Sequence, residues 1–109
     1  MSLVKSVAWR LGLPRGAWSR AVSSARPSQP LVLFGFEGCP SCRRVRQSLS
    51  ELGLDYLHRS CPYGEGPNRA ELLARGGKAQ VPYLVDPNRG IELHESSEIV
   101  AYLERHYAA

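Results

Sequence analysis

The sequence predicts an α/β domain over residues 30–109, with element order βαβαββα and a four-stranded mixed sheet carrying helices on both faces. Three observations predict it. Short apolar runs of strand length alternate with stretches whose apolar residues recur every three to four positions. Glycine and proline punctuate the junctions between them. The first two apolar runs are joined through a helical stretch, a connection that sets the strands parallel through a right-handed crossover.

Residues 31–36, LVLFGF, form a continuous apolar run and read as a buried strand, β1. Residues 40–52, PSCRRVRQSLSEL, place Cys42, Val45, Leu49 and Leu52 on one face of a helix, α1. Pro40 occupies the favoured first helical position, and Gly53 ends the helix. LDYLHR, residues 54–59, is β2, and GPNRAELLARGG, residues 66–77, holds a short helix, α2, closed by Gly76 and Gly77. VPYLVD (81–86) is β3, PNRG a turn, and IELHE (91–95) is β4. SSEIVAYLERHY (96–107) is the last helix, α3, with Ile99, Val100, Leu103 and Tyr107 inward.

Residues 1–29 read as a basic amphipathic extension ending in a linker, SARPSQP. Leu3, Val7 and Leu11 recur four apart, as do Ala17, Ala21 and Ala25, with Pro14 between the two stripes. The apolar runs fall short of the roughly 20 residues a membrane span needs, and Arg10 interrupts any signal-peptide core. Three readings stand: an organelle transit peptide, a membrane-surface helix making peripheral contact, or a terminal tail or docked helix. We expect the segment to be dispensable for chemistry.

The net charge of +4 belongs to this extension. Residues 1–30 carry five basic side chains and no acid; the remainder carries nine basic and ten acidic ones. The domain therefore lacks the cationic excess that binding nucleic acid requires. Its apolar share of 43% and charged share of 22% are those of an ordinary globular protein. Three cysteines are too few, and odd in number, for a disulfide framework. A reducing compartment follows, cytoplasmic unless the extension directs the chain to an organelle, and we expect a monomer.

The chemistry concentrates in FGFEGCPSC. Cys39 falls just past β1 at the mouth of α1, where helix-terminal amides, the macrodipole and the nearby Arg43 and Arg44 favour a thiolate. Cys42 follows on the same turn. A zinc site needs about four ligands, and beyond the pair only Cys61, His58, His94 and His106 are on offer. A purely structural disulfide remains open. A C-x-x-C beside a βαβ pattern is read first as a redox pair. Cys61, after β2, reaches the same edge of the sheet, so it is a possible additional redox thiol: an alternative resolving cysteine or a partner for Cys39 under oxidation.

GCPSC, QVP and ESSEIVAYL together resemble the glutaredoxins and the amino-terminal domain of glutathione transferases, across residues 31–107. The resemblance implies a thioredoxin-like fold with glutathione, as co-substrate, lying along the active edge. It implies Cys39 as nucleophile and Cys42 as resolving thiol. Val81 would pair its backbone with the cysteinyl part of glutathione, Pro82 would be a cis proline, and Glu95 with Ser96 would hold the γ-glutamyl end. Physical reasons support the last two: a helix amino terminus binds carboxylates, and Ser96 can cap it. Two departures stand out. Glu37 occupies the region where glutaredoxins often carry a lysine for the glycyl carboxylate, leaving Arg69, Arg75 or Lys78 to substitute. The dipeptide between the cysteines is Pro-Ser, without an aromatic wall.

The implied activity is that of a glutathione-linked thiol–disulfide oxidoreductase acting on protein disulfides or glutathione mixed disulfides. The alternative is a glutathione-binding redox sensor or iron–sulfur cluster carrier, in which Cys39 and glutathione hold a cluster between two chains. No metal site is expected within the chain itself. Full transferase activity is not expected, because the helical domain that forms a second-substrate pocket does not follow in this sequence.

Overall fold

In the computed structural model, residues 16–21 and 26–109 are described. The order is β1 (Leu31–Gly35), α1 (Pro40–Glu51), β2 (Tyr56–Ser60), α2 (Pro67–Gly76), β3 (Tyr83–Asp86), β4 (Ile91–Leu93) and α3 (Ser96–Tyr107). The sheet order is β2-β1-β3-β4. β1 pairs parallel with β2 and antiparallel with β3, and β3 pairs antiparallel with β4. The predicted α/β architecture and mixed sheet are observed.

Side-chain alternation along β1 divides the core in two. Leu31 and Leu33 join Val45 and Leu49 of α1 and Ile99 and Leu103 of α3 on one face. Phe34, Tyr83 and Val85 meet Leu72 of α2 and Cys61 on the other. The helices cover both faces, as the pattern requires. Gly77, in the left-handed conformation at φ 78°, closes α2, its N–H donating to the Leu73 carbonyl.

Two strands are shorter than their apolar runs. β3 begins at Tyr83 because Pro82 has no N–H to give the ladder, and the Val81–Pro82 bond is cis. β4 ends at Leu93, and the backbone turns at Glu95, whose φ is 63°.

The described part of the extension lies against the end of the domain where α1 and α3 finish. Ser50 donates to the Gly16 carbonyl, and Ala109 N–H donates to the Ala21 carbonyl. Arg20 pairs with Glu104 at 2.9 Å and with the buried Glu51 at 3.8 Å. Arg26 donates to the carbonyls of Leu52 and Gly53, past the end of α1. Ser28 and Gln29 bind Asn88 in the β3–β4 turn. The Leu3, Val7 and Leu11 stripe lies outside the described residues, as does Ala25.

Candidate active site

One edge of the sheet collects the chemistry. β1 and β2 are parallel, so Gly35 and Ser60 end side by side; β3 is antiparallel, so Tyr83 starts beside Phe34; β4 then returns Leu93 to Leu84. The loops that follow or precede these ends carry Cys39, Cys61, Val81 and Glu95, and Ser96 opens α3 beside them.

Cys39 is the N-cap of α1, and its Sγ accepts the Cys42 N–H at 3.4 Å. That cap explains the spacing: a cysteine three residues before the amide replaces the usual serine or aspartate, so its sulfur faces the helix's free N–H groups. Cys39 is partly exposed and Cys42 buried. Burial first, and the hydrogen bond with Cys39 second, push the Cys42 thiol up to about 11, while Arg46 pulls the other way. Cys39 is thus the more accessible of the two sulfurs.

Hydrogen bonds tie the other predicted residues to this edge. Arg44, on the first turns of α1, reaches Ser96 Oγ at 3.5 Å. Gln80 Nε2 donates to Glu95 Oε1 at 3.1 Å, and His94 Nδ1 lies 3.1 Å from the Gln80 carbonyl. The expectation that Ser96 caps α3 is corrected: Glu95 holds the N-cap position without a side-chain cap bond, and Ser96 is the first helical residue. Glu95 in the left-handed region costs of order 1–3 kcal/mol, a cost that recurs at ligand-binding positions.

Among the substitute cations, Arg69 reaches the carbonyls of Pro62 at 3.2 Å and of Cys61 and Ala79 at 3.5 Å, between two loops of the active edge. Arg75 instead pairs with Glu92 and Glu71. The aromatic wall missing from the Pro-Ser dipeptide has a counterpart that the sequence reading overlooked. The Phe36 and Tyr63 rings meet at a tilt of 55° with 5.1 Å between ring centres beside the Cys39 loop, and Tyr63 is 82% exposed.

Cys61 is fully buried with Phe34, Leu72 and Tyr83 on the α2 face. Burial pushes its thiol up, although Arg69 opposes this. Cys42 lies on the α1 face, so the structure does not bring the third thiol to the pair. All three cysteines are free. Among the described residues, no group of three His, Cys, Asp or Glu side chains is arranged to hold a metal, and no helix is long and apolar enough to cross a membrane.

Residues 33–109 match the family model described as glutathione S-transferase, N-terminal domain. The chain belongs to that family. Relatives of the domain include a glutathione S-transferase-like protein, tpcF, of Aspergillus fumigatus, 33% identical over 79 residues that cover 72% of this chain and 34% of the relative. A glutaredoxin of Pseudomonas aeruginosa is 34% identical over 55 residues, covering 50% of this chain and 64% of the relative. Among solved structures, a Bombyx mori glutathione transferase superposes with a TM-score of 0.68 at 28% identity, over 76% of this chain and 38% of that one. Ure2p in complex with glutathione superposes with a TM-score of 0.63 at 29% identity, over 73% of this chain and 34% of that one. The chain thus spans about a third of the length of its transferase-like relatives. The domain has the thioredoxin-like fold these proteins share.

Proposed function

We propose that the chain is a glutathione-linked thiol–disulfide oxidoreductase that uses Cys39 as nucleophile and Cys42 as resolving thiol. The observation that carries this reading is the asymmetry of the pair: an accessible sulfur capping a helix, and a buried neighbour whose thiol sits near 11. Cys39 attacks the glutathione sulfur of a mixed disulfide, an S–S bond forms to glutathione, and the substrate thiolate leaves with the bonding electrons. Either a second glutathione or Cys42 then releases the bound glutathione.

Val81, Pro82, Glu95 and Ser96 form the glutathione site in this reading, with Arg69 as the cation for the glycyl carboxylate. Ure2p, solved in complex with glutathione and superposing on this chain, and the glutaredoxin relative support it. The test is reduction of a glutathionylated peptide with glutathione or thioredoxin reductase as electron source. Turnover with glutathione, abolished by Cys39→Ser and retained in part by Cys42→Ser, is expected. No turnover with either source removes the reading.

A further inference from the structure

We infer that His94 is a positioning residue that aims the Val81 backbone N–H at glutathione, a role that deepens the glutathione reading above and rests on it. The imidazole stands between two backbone carbonyls. Its Nδ1 lies 3.1 Å from the Gln80 oxygen and its Nε2 lies 3.3 Å from the Gly76 oxygen. A neutral ring has one N–H to donate, and the shorter contact assigns it to Gln80; a charged ring donates to both. In either form the turn between β4 and α3 is tied to the residue just before Val81.

Packing fixes the ring. Tyr83 lies against it, with 4.4 Å between ring centres and a tilt of 41°. The last residue of α2 is Gly76, and a Cβ there would stand 2.7 Å from His94 Nε2, 3.1 Å from Cε1 and 3.3 Å from Tyr83 Cε1. Glycine is a poor helix former, and the imidazole that fills its side-chain space accounts for its place in the last turn of α2.

Gln80 is gripped by two consecutive residues. His94 takes its carbonyl, and Glu95 Oε1 accepts from its Nε2 at 3.1 Å. One residue back, Arg69 reaches the Ala79 carbonyl at 3.5 Å. The consequence for the ligand runs through a single peptide unit. The Gln80 carbonyl and the Val81 N–H share one planar trans peptide, so they point in opposite directions. A carbonyl held by His94 therefore turns the Val81 N–H away from the imidazole and sets it as a donor for the cysteinyl part of an extended peptide ligand. Without the imidazole that plane is free to rotate, and the donor loses its aim.

The experiment titrates the reduced full chain with S-methylglutathione, a thioether that cannot form a disulfide, and follows binding by calorimetry. A parallel assay measures KM for glutathione in reduction of a glutathionylated peptide. His94→Leu is expected to weaken binding and raise KM about tenfold, the upper part of what one lost hydrogen bond costs, while alkylation of Cys39 by iodoacetamide stays within about twofold of wild type. Two further variants separate aim from packing. His94→Asn places an amide N–H near the position of Nδ1 and is expected to recover most of the affinity; His94→Gln, whose amide falls near Nε2, is expected not to. Unchanged affinity in His94→Leu overturns the proposal and leaves the redox chemistry standing. Equal affinities in the Asn and Gln variants overturn it as well, because the ring would then only fill space, and that comparison decides alone if His94→Leu does not fold. Wild-type protein that binds S-methylglutathione but reduces no peptide removes the redox reading and not the role of His94. Wild-type protein that binds none removes both the glutathione site and that role.

Discussion

At the scale of single residues, position three before an amide makes Cys39 different from Cys42, although the two side chains are identical. With its thiol near 11, Cys42 is ionised to about one part in a thousand at pH 8, and it is buried as well. Iodoacetamide at that pH is therefore expected to label Cys39 of the reduced protein and leave Cys42 unlabelled, as peptide mass mapping would show; equal labelling contradicts the assigned roles. In Cys42→Ser protein treated with mild peroxide in the presence of glutathione, Cys39 is expected to end glutathionylated or over-oxidised with Cys61 still free, because Cys61 is buried in the cluster on the α2 face. A mapped Cys39–Cys61 link contradicts that. Gly35 is the other decisive residue. A methyl there meets Cys42 Sγ at 2.9 Å and Cys42 Cβ at 3.3 Å, so Gly35→Ala is expected to lower stability by roughly 1–3 kcal/mol in a denaturant melt.

At the scale of elements, a buried carboxylate fastens α3 to the β3–β4 hairpin. Asp86 accepts from the hydroxyls of Tyr102 and Tyr107 at 2.6 Å each, and from the Asn88 N–H and side-chain amide. Burial alone would raise its pKa, but these donors more than offset that, and the pKa falls below 3.8. The same carboxylate, after burial, pushes the Tyr107 hydroxyl up to about 12. Because the folded value is the depressed one, Asp86 contributes stability above its unfolded pKa, and that contribution disappears as pH falls through the folded value. Tyr107→Phe removes one charge-assisted donor. It is expected to cost about 1.5–3 kcal/mol near neutral pH and to shift the acid-unfolding limb to higher pH, read by circular dichroism.

The elements themselves were legible in the sequence, because periodicity and punctuation record burial directly: every predicted strand and helix is present, and Cys42, Val45, Leu49 and Leu52 are all fully buried. The positions of Cys39 and Cys42 at the head of α1 were legible for the same reason. Contacts that depend on strand register were not. That Gly35 lies against both Cys42 and His58 follows only once Gly35 is known to pair with Ser60, and a one-residue slip would turn His58 to the other face. Glu95 at the cap was also hidden, since a positive φ at a glutamate has no sequence signal.

At the scale of the whole molecule, the basic extension changes character. Its described residues are part of the packing, and Arg20 connects the last turns of α1 and α3 through Glu51 and Glu104. Arg20→Ala is expected to lower the denaturant midpoint by an amount equivalent to about 1–2 kcal/mol, less than the loss of a fully buried pair because one partner is exposed and the other contact is long. Peptide reduction by the folded variant is expected to stay within twofold of the parent. An unchanged midpoint would mean that these arginine contacts carry no stability.

The arrangement of Arg20 and Arg26 also gives the domain two working ends. Both helices that point their amino termini at the thiol edge, α1 and α3, end against these arginines, so the described part of the extension lies at the pole opposite Cys39. A surface or assembly that grips the protein by this entry would leave the cysteine edge facing outward. Anchorage and turnover would then proceed together without obstructing one another.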